Sequence, residues 1–217
     1  CTATGLVAGS YSVIVTDANN CDTVVNITIT EPVLLTASIT DTVDVLCNGD
    51  LTGSATVTPN GGTAPYLYQW DDPNNQTDST ATGLGAGTYN VTVTDANSCD
   101  TVISVTITEP TLLTASITDT VDVLCNGDLT GSATVTPNGG TAPYGYQWDD
   151  PATQRDSTAT GLGAGTYNVT VTDANSCDTV LSITITEPTL LTASITDTLN
   201  VSCNGDTDGS STVTPVG

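Results

Sequence analysis

Residues 162–185 read LGAGTYNVTVTDANSCDTVLSITI, and the order of side chains in this stretch decides the fold. Tyr167, Val169 and Val171 alternate with Asn168, Thr170 and Thr172, and further on Leu181, Ile183 and Ile185 alternate with Ser182 and Thr184. A period of two turns one row of side chains to a core and the other to water, so each run predicts a half-buried strand. Asp173-Ala174-Asn175 supplies turn chemistry between them, and Gly163-Ala164-Gly165 turns the chain just ahead.

Working outward, the same period recurs. Leu113, Ala115 and Ile117 alternate with Thr114, Ser116 and Thr118, and Ala133 and Val135 with Ser132, Thr134 and Thr136. Tyr144, Tyr146 and Trp148 share a face, and Asn126-Gly127-Asp128 and Asn138-Gly139-Gly140 mark turns. Helical periodicity is absent. About seven short strands in one unit, with a Trp on the third main strand, predict an all-β, immunoglobulin-like two-sheet sandwich. Leu162 to Tyr167 has the form of a tyrosine corner, in which the hydroxyl bonds back to the preceding turn. Cys177 comes ten residues after Tyr167 rather than two, so the Trp is expected among Tyr and aliphatic side chains and not against a buried disulfide.

The unit repeats. Cys47, Cys125 and Cys203 fall 78 residues apart, as do Cys21, Cys99 and Cys177. Residues 33–110 and 111–188 differ at seven positions, three of them in one polar loop (Asn74/Ala152, Asn75/Thr153 and Thr77/Arg155). Residues 1–32 match the end of a unit and 189–217 the start of another, so the chain reads as a window on a longer array. A repeat this long exceeds the roughly 20 to 50 residues of solenoids and suits independently folding domains in tandem. Glu31-Pro32, Glu109-Pro110 and Glu187-Pro188 close the units, because proline withdraws a ladder donor.

Composition narrows the partners. The chain has no His, Lys, Met or Phe, one Arg against 24 acidic residues, and a net charge of -23. Nucleic acid and anionic membranes are excluded as partners, since binding either needs Lys and Arg. No stretch nears the ~20 apolar residues of a membrane span, and the N-terminus lacks a signal-peptide pattern. Regularly spaced cysteines without His or C-x-x-C point to disulfides formed outside the cytoplasm rather than to zinc.

The series Cys47-Asn48-Gly49, Gly61-Gly62, Pro65-Tyr66-Leu67-Tyr68-Gln69-Trp70, Gly83-Leu84-Gly85-Ala86-Gly87-Thr88-Tyr89 and Val93-Thr94-Asp95-Ala96-Asn97-Ser98-Cys99 resembles the SprB-type repeat of large cell-surface adhesins in gliding Bacteroidetes. The resemblance implies type IX export, display as a long filament at the bacterial surface, and a role in attachment or gliding. Ser98 stands where that family usually has Gly.

Candidate sites follow from residue types. Without His or Lys, acid-base chemistry would rest on pairs such as Asp71 and Asp72, and near-identical units argue against one specialised active site, so no enzyme is expected. Two cysteine pairings are open. Cys47 with Cys99 would close a loop inside one unit; Cys47 with Cys177 would staple consecutive units, because in an immunoglobulin-type sandwich the two turns concerned sit at opposite ends. Cys125, Cys21 and Cys203 follow the same two patterns. Cys1 has no counterpart, since Ser79 and Ser157 occupy its register.

Calcium is the one sensible metal for so many oxygen donors, with Glu109, Asp71, Asp72, Asp173 and Asn175 as the candidate ligands at a junction. Asp-Ser/Thr steps followed by an apolar residue or Thr resemble Bacteroidetes O-glycan acceptors, at Thr23, Thr42, Ser79, Thr101, Thr120, Ser157, Thr179 and Thr198. The leading function is structural: spacer units of an adhesin whose expected partners are neighbouring repeats and other filament strands. The alternative is a glycan-binding module, with calcium as its candidate ion, repeated along a secreted protein.

Overall fold

Threonine alternating with Val or Ile builds nearly every regular element. In the computed structural model, which describes residues 2–217, the last hairpin of a unit comes first, as β1 (Gly9–Thr16) and β2 (Asp22–Ile29). A complete unit follows with β3 (Thr36–Val43), β4 (Gly53–Asn60), β5 (Leu67–Trp70), β6 (Thr80–Leu84), β7 (Gly87–Thr94) and β8 (Asp100–Ile107). The second complete unit repeats these as β9 (Thr114–Val121), β10 (Gly131–Asn138), β11 (Gly145–Trp148), β12 (Thr158–Leu162), β13 (Gly165–Thr172) and β14 (Asp178–Ile185). A final pair, β15 (Thr192–Leu199) and β16 (Ser210–Val216), starts another. The described residues contain no helix.

The strands of each complete unit form two three-stranded antiparallel sheets, ordered β3-β4-β6 and β5-β7-β8 in the first and β9-β10-β12 and β11-β13-β14 in the second. In immunoglobulin terms these are A-B-E and C-F-G, the arrangement that defines the sandwich. Six strands form, one fewer than the seven expected. The segment from Asp71 to Ser79 has no apolar alternation, and Pro73 and a capping Asp72 hold it as a loop, so no fourth strand joins β6.

The chain links the two sheets just past the first strand. β3 slips register between Ile39 and Asp41 but stays paired to β4 as far as Val43, and beyond its end the Val45 N–H donates to the Thr108 carbonyl at 2.9 Å while Thr108 N–H donates to Asp44 at 2.7 Å. These bonds reach the residue after β8 and tie the two sheets along one edge.

The cores match the alternation. Trp70, Val91, Val93, Val57, Leu84 and Ile107 lie between the sheets of the first sandwich, with Trp70 fully buried. Its indole N–H donates to the Asp78 carbonyl at 2.9 Å, so the ring's polar atom is satisfied. Trp148 does the same with Asp156. Tyr89 and Tyr167 close the expected tyrosine corners, donating to the Gly85 and Gly163 carbonyls at 3.2 Å. Residues 2–32 hold only the hairpin β1–β2, and there Val13 and Val15, the counterparts of buried Val91 and Val93, are 51% and 53% exposed. The pattern of each strand is local, but its burial needs the opposite sheet.

By compactness the chain divides into two units: residues up to Val45 with Leu51–Thr108, and Leu46–Asp50 with Glu109–Gly217. The turn 46–50 thus belongs by sequence to the first repeat and by packing to the second unit.

Candidate functional site

Chemistry concentrates inside the second unit, where a turn meets a hairpin. The turn is Leu46-Cys47-Asn48-Gly49-Asp50, closed by Asp50 N–H donating to the Cys47 carbonyl at 3.0 Å. Gly49 takes φ +84°, a conformation that glycine adopts without a Cβ penalty. Glu109 and Pro110 strap the turn: the Gly49 N–H donates to a Glu109 carboxylate oxygen at 2.6 Å, and the Asn48 amide donates to the Pro110 carbonyl at 3.0 Å. These contacts explain the Glu-Pro pair better than a ladder stop does.

The hairpin is the β13–β14 turn, organised by Asp173. One of its carboxylate oxygens accepts from the Asn175 and Cys177 N–H groups at 2.9 Å, and the other from Thr141 N–H at 2.8 Å. Burial raises the Asp173 pKa, but the three N–H donors more than offset this, and it sits below the ordinary carboxylate value. Gly139 and Gly140 carry the loop that supplies Thr141. Their φ values are +75° and +63°, and a Cβ on Gly139 would lie 2.1 Å from the Leu112 carbonyl oxygen. Ser176 is held at φ +69°, and its counterpart Ser98 at +64°.

A disulfide joins turn and hairpin. Cys47 is bonded to Cys177, with the Cα atoms 5.7 Å apart and 130 residues between them in sequence. The Asn175 amide donates to the Leu46 carbonyl at 2.9 Å and to Thr141 Oγ1 at 3.2 Å, so the backbone of the turn is also recognised. A groove of about 330 Å3 runs along this contact, lined by Leu112, Leu113, Asp50 and Asp178 among others. Of the two pairings open in the sequence, the bond between consecutive repeats is the one formed. The in-repeat bond from Cys47 to Cys99 is not, because the two turns lie at opposite ends of one sandwich. Cys21, Cys99, Cys125 and Cys203 are exposed free thiols. Cys1 lies outside the described residues.

Each calcium candidate has a hydrogen-bond partner of its own. Asp71 accepts from the backbone and amide of Asn90 at 2.7 Å, Asp72 caps its own loop through Asn74 and Gln76, Asp173 caps the hairpin, Asn175 holds Leu46, and Glu109 holds Gly49. Among the described residues no three His, Cys, Asp or Glu side chains form a metal-holding group. Each carboxylate already answers a backbone donor, which is what Asx-type turns require. The spacing Asp173-x-Asn175-x-Cys177, with N–H donors two and four residues on, is the sequence signal for this cap. Of the glycan candidates, Thr23, Thr42, Thr120 and Thr198 are exposed, while Ser79, Thr101, Ser157 and Thr179 are half-buried.

Two sandwiches with the same fold and the same turn and hairpin make this an immunoglobulin-like tandem repeat protein held by a disulfide between consecutive repeats. The family described as SprB repeat matches the chain twice, over residues 39–75 and 117–153, about a third of its length, in agreement with the resemblance of the Cys47 to Trp70 series. The Gly83 to Tyr89 and Val93 to Cys99 runs fall outside the matched residues. No curated protein sequence matches the chain.

Among solved structures, the chain is similar to the three N-terminal domains of the highly immunogenic outer capsid protein Hoc of bacteriophage RB49, at 18% identity over 84% of this chain and 69% of that one, with a TM-score of 0.44. A C-terminal fragment of intimin in complex with the intimin-binding domain of its translocated receptor gives 16% identity over 72% and 66%, with a TM-score of 0.38. The N-terminal eight Ig domains of the Down syndrome cell adhesion molecule give 13% over 85% and 27%, with a TM-score of 0.39.

Proposed function

We propose that this chain is a length of the shaft of an extracellular bacterial surface adhesin, serving attachment or gliding by carrying load and distance rather than by catalysis. The observation that carries this reading is the Cys47–Cys177 bond, which makes two consecutive repeats share one covalent fastening in addition to the chain itself. A repeat that only had to fold would gain as much from a bond inside itself. A bond to the next repeat adds resistance at the junction, where tandem domains otherwise hinge freely. The SprB repeat match supports placing the shaft at a cell surface, with the type IX route as its export. The charge of -23 supports an array whose units repel along its length over a Debye length of ~8 to 10 Å at physiological salt.

O-glycans on the exposed acceptors belong to the same reading, since a bulky glycan at Thr42 or Thr120 meets only solvent. The test is protease treatment of intact cells that make the protein. Peptides from residues 33–188 should be released without lysis, with hexose-scale mass increments at the acceptor positions, and attachment under flow should fall in step with their release. Unchanged attachment after complete removal of those peptides would contradict the proposal.

A further inference from the structure

The loop that stands where a seventh strand would run is built around one side chain. In the first sandwich β6 and β5 are each an edge strand of their sheet, and Gln76 bonds to both. Its amide Nε2 donates to the Thr82 carbonyl at 2.9 Å, and its Oε1 accepts from the Thr82 N–H at 3.0 Å. The Gln76 backbone carbonyl accepts from the Trp70 N–H of β5 at 2.9 Å. Asp72 fixes the residue from behind: one carboxylate oxygen accepts from the Gln76 N–H at 2.8 Å and the other from Nε2 at 3.0 Å.

A residue whose N–H and C=O both bond to one partner is what an antiparallel strand meets at a closely spaced ladder pair. The Gln76 amide makes that pair with Thr82 by offering one donor and one acceptor, as the backbone of a further strand would. The second sandwich repeats it. Gln154 bonds both groups of Thr160 at 2.9 and 3.0 Å, its carbonyl accepts from the Trp148 N–H at 3.0 Å, and Asp150 holds its N–H and Nε2 at 2.9 and 3.0 Å. The residues on either side of the Gln differ between the two loops, Asn75 and Thr77 against Thr153 and Arg155, but the contacts do not. An unpaired edge is a template for another strand. The hazard is greatest where neighbours are almost the same sequence, and residues 33–110 and 111–188 differ at only seven positions.

We propose that Gln76 and Gln154 are edge guards: each occupies the place of a strand on β6 or β12 and keeps that edge from pairing with the same edge of a second copy of this chain. The partner that fits the unguarded edge is β6 or β12 itself, antiparallel across a two-fold axis. The Thr82 or Thr160 N–H and C=O of one copy then meet those of the other. The inference rests on contacts inside each sandwich and stands whether or not the protein is a surface shaft.

The test uses the full chain, oxidised and with its free thiols alkylated, carrying Gln76→Ala and Gln154→Ala. Gln76→Met and Gln154→Met, which keep the length and drop the amide, replace these if the alanine chain does not fold. Buried-Trp emission reports the fold. In dilute variant the Thr82 and Thr160 amides, followed one by one by NMR, should exchange about ten-fold faster than in the unaltered chain, the worth of one neutral hydrogen bond. The amides of Ala81 and Ala159, paired with Ala55 and Ala133, should keep their rates. At raised salt, which shortens the reach of the charge of -23, sedimentation should show the variant associating at concentrations where the unaltered chain does not. In the associated variant the Thr82 and Thr160 amides should be slow again. The proposal is overturned if the folded variant sediments as the unaltered chain does at every concentration, or if it associates with those two amides still fast.

Discussion

Replacing Cys177 with Ser removes the latch and should weaken the second sandwich while leaving the first untouched. The bond closes a loop of 130 residues. In the chain-entropy description, closing a loop of that length lowers the entropy of the unfolded chain by an amount equivalent to about 5 kcal/mol. When the first sandwich stays folded, only the ~70 residues from Glu109 to Cys177 become free, and the same relation gives about 4.4 kcal/mol. A domain of this size has roughly 4 to 12 kcal/mol of stability in all. The effect is therefore a large fraction of the whole.

Native-state hydrogen exchange read by mass spectrometry reports the two sandwiches separately, because β8 has Val105 where β14 has Ile183 and their peptides differ in mass. In Cys177→Ser the β14 amides should lose about a thousand-fold in protection, at ~1.4 kcal/mol per factor of ten. The β8 amides should keep theirs. Equal loss in both strands, or no loss in β14, would refute the reasoning.

Ser176→Gly should stabilise the second sandwich by about 0.5 to 1 kcal/mol in denaturant unfolding, since it relieves a left-handed serine at the cost of a more flexible unfolded chain. Acid should loosen the caps. The Asp44, Asp72, Asp95 and Asp173 carboxyls are all lowered in the folded chain: for Asp44 by its bond from Thr108, for Asp95 first by the Cys99 N–H, and for Asp72 and Asp173 by donors that outweigh burial. Their stabilisation is complete above the unfolded value of ~3.9 and is lost as pH falls through the folded values, so unfolding midpoints should be flat from pH 8 to 5 and drop below about 4. Pulled from its ends, the oxidised chain should withhold the 130 residues inside the loop, and adding reductant should lengthen the fully extended chain by roughly 430 to 470 Å at ~3.3 to 3.6 Å per residue.

The strands, the tyrosine corners and the buried Trp were legible in the sequence because each depends on spacing within a few residues: Tyr167 to Gly163, or Val169 to Val171. The cysteine pairing was legible only as a choice of two. Strand parity already set the Cys47 and Cys99 turns at opposite ends of a sandwich, but the bond itself needs β13, β14 and the 46–50 turn to bring Cys177 to Cys47. The acidic residues have a second role that the sequence shows less plainly. Asp71, Asp72 and Asp173 each face backbone or amide N–H groups that a loop leaves unpaired. The absent seventh strand has the same origin, in a loop that Asp72 caps.

Cleavage at the two Asp-Pro bonds tests the latch most directly. Mild acid hydrolyses Asp72-Pro73 and Asp150-Pro151, which places Cys47 in residues 1–72, Cys99 and Cys125 in residues 73–150, and Cys177 in residues 151–217. From the oxidised monomer, alkylated before cleavage, non-reducing mass spectrometry should show 1–72 joined to 151–217 through Cys47 and Cys177, with 73–150 separate and carrying the alkyl label on Cys99 and Cys125. Residues 1–72 joined instead to 73–150 through Cys47 and Cys99 would contradict the account.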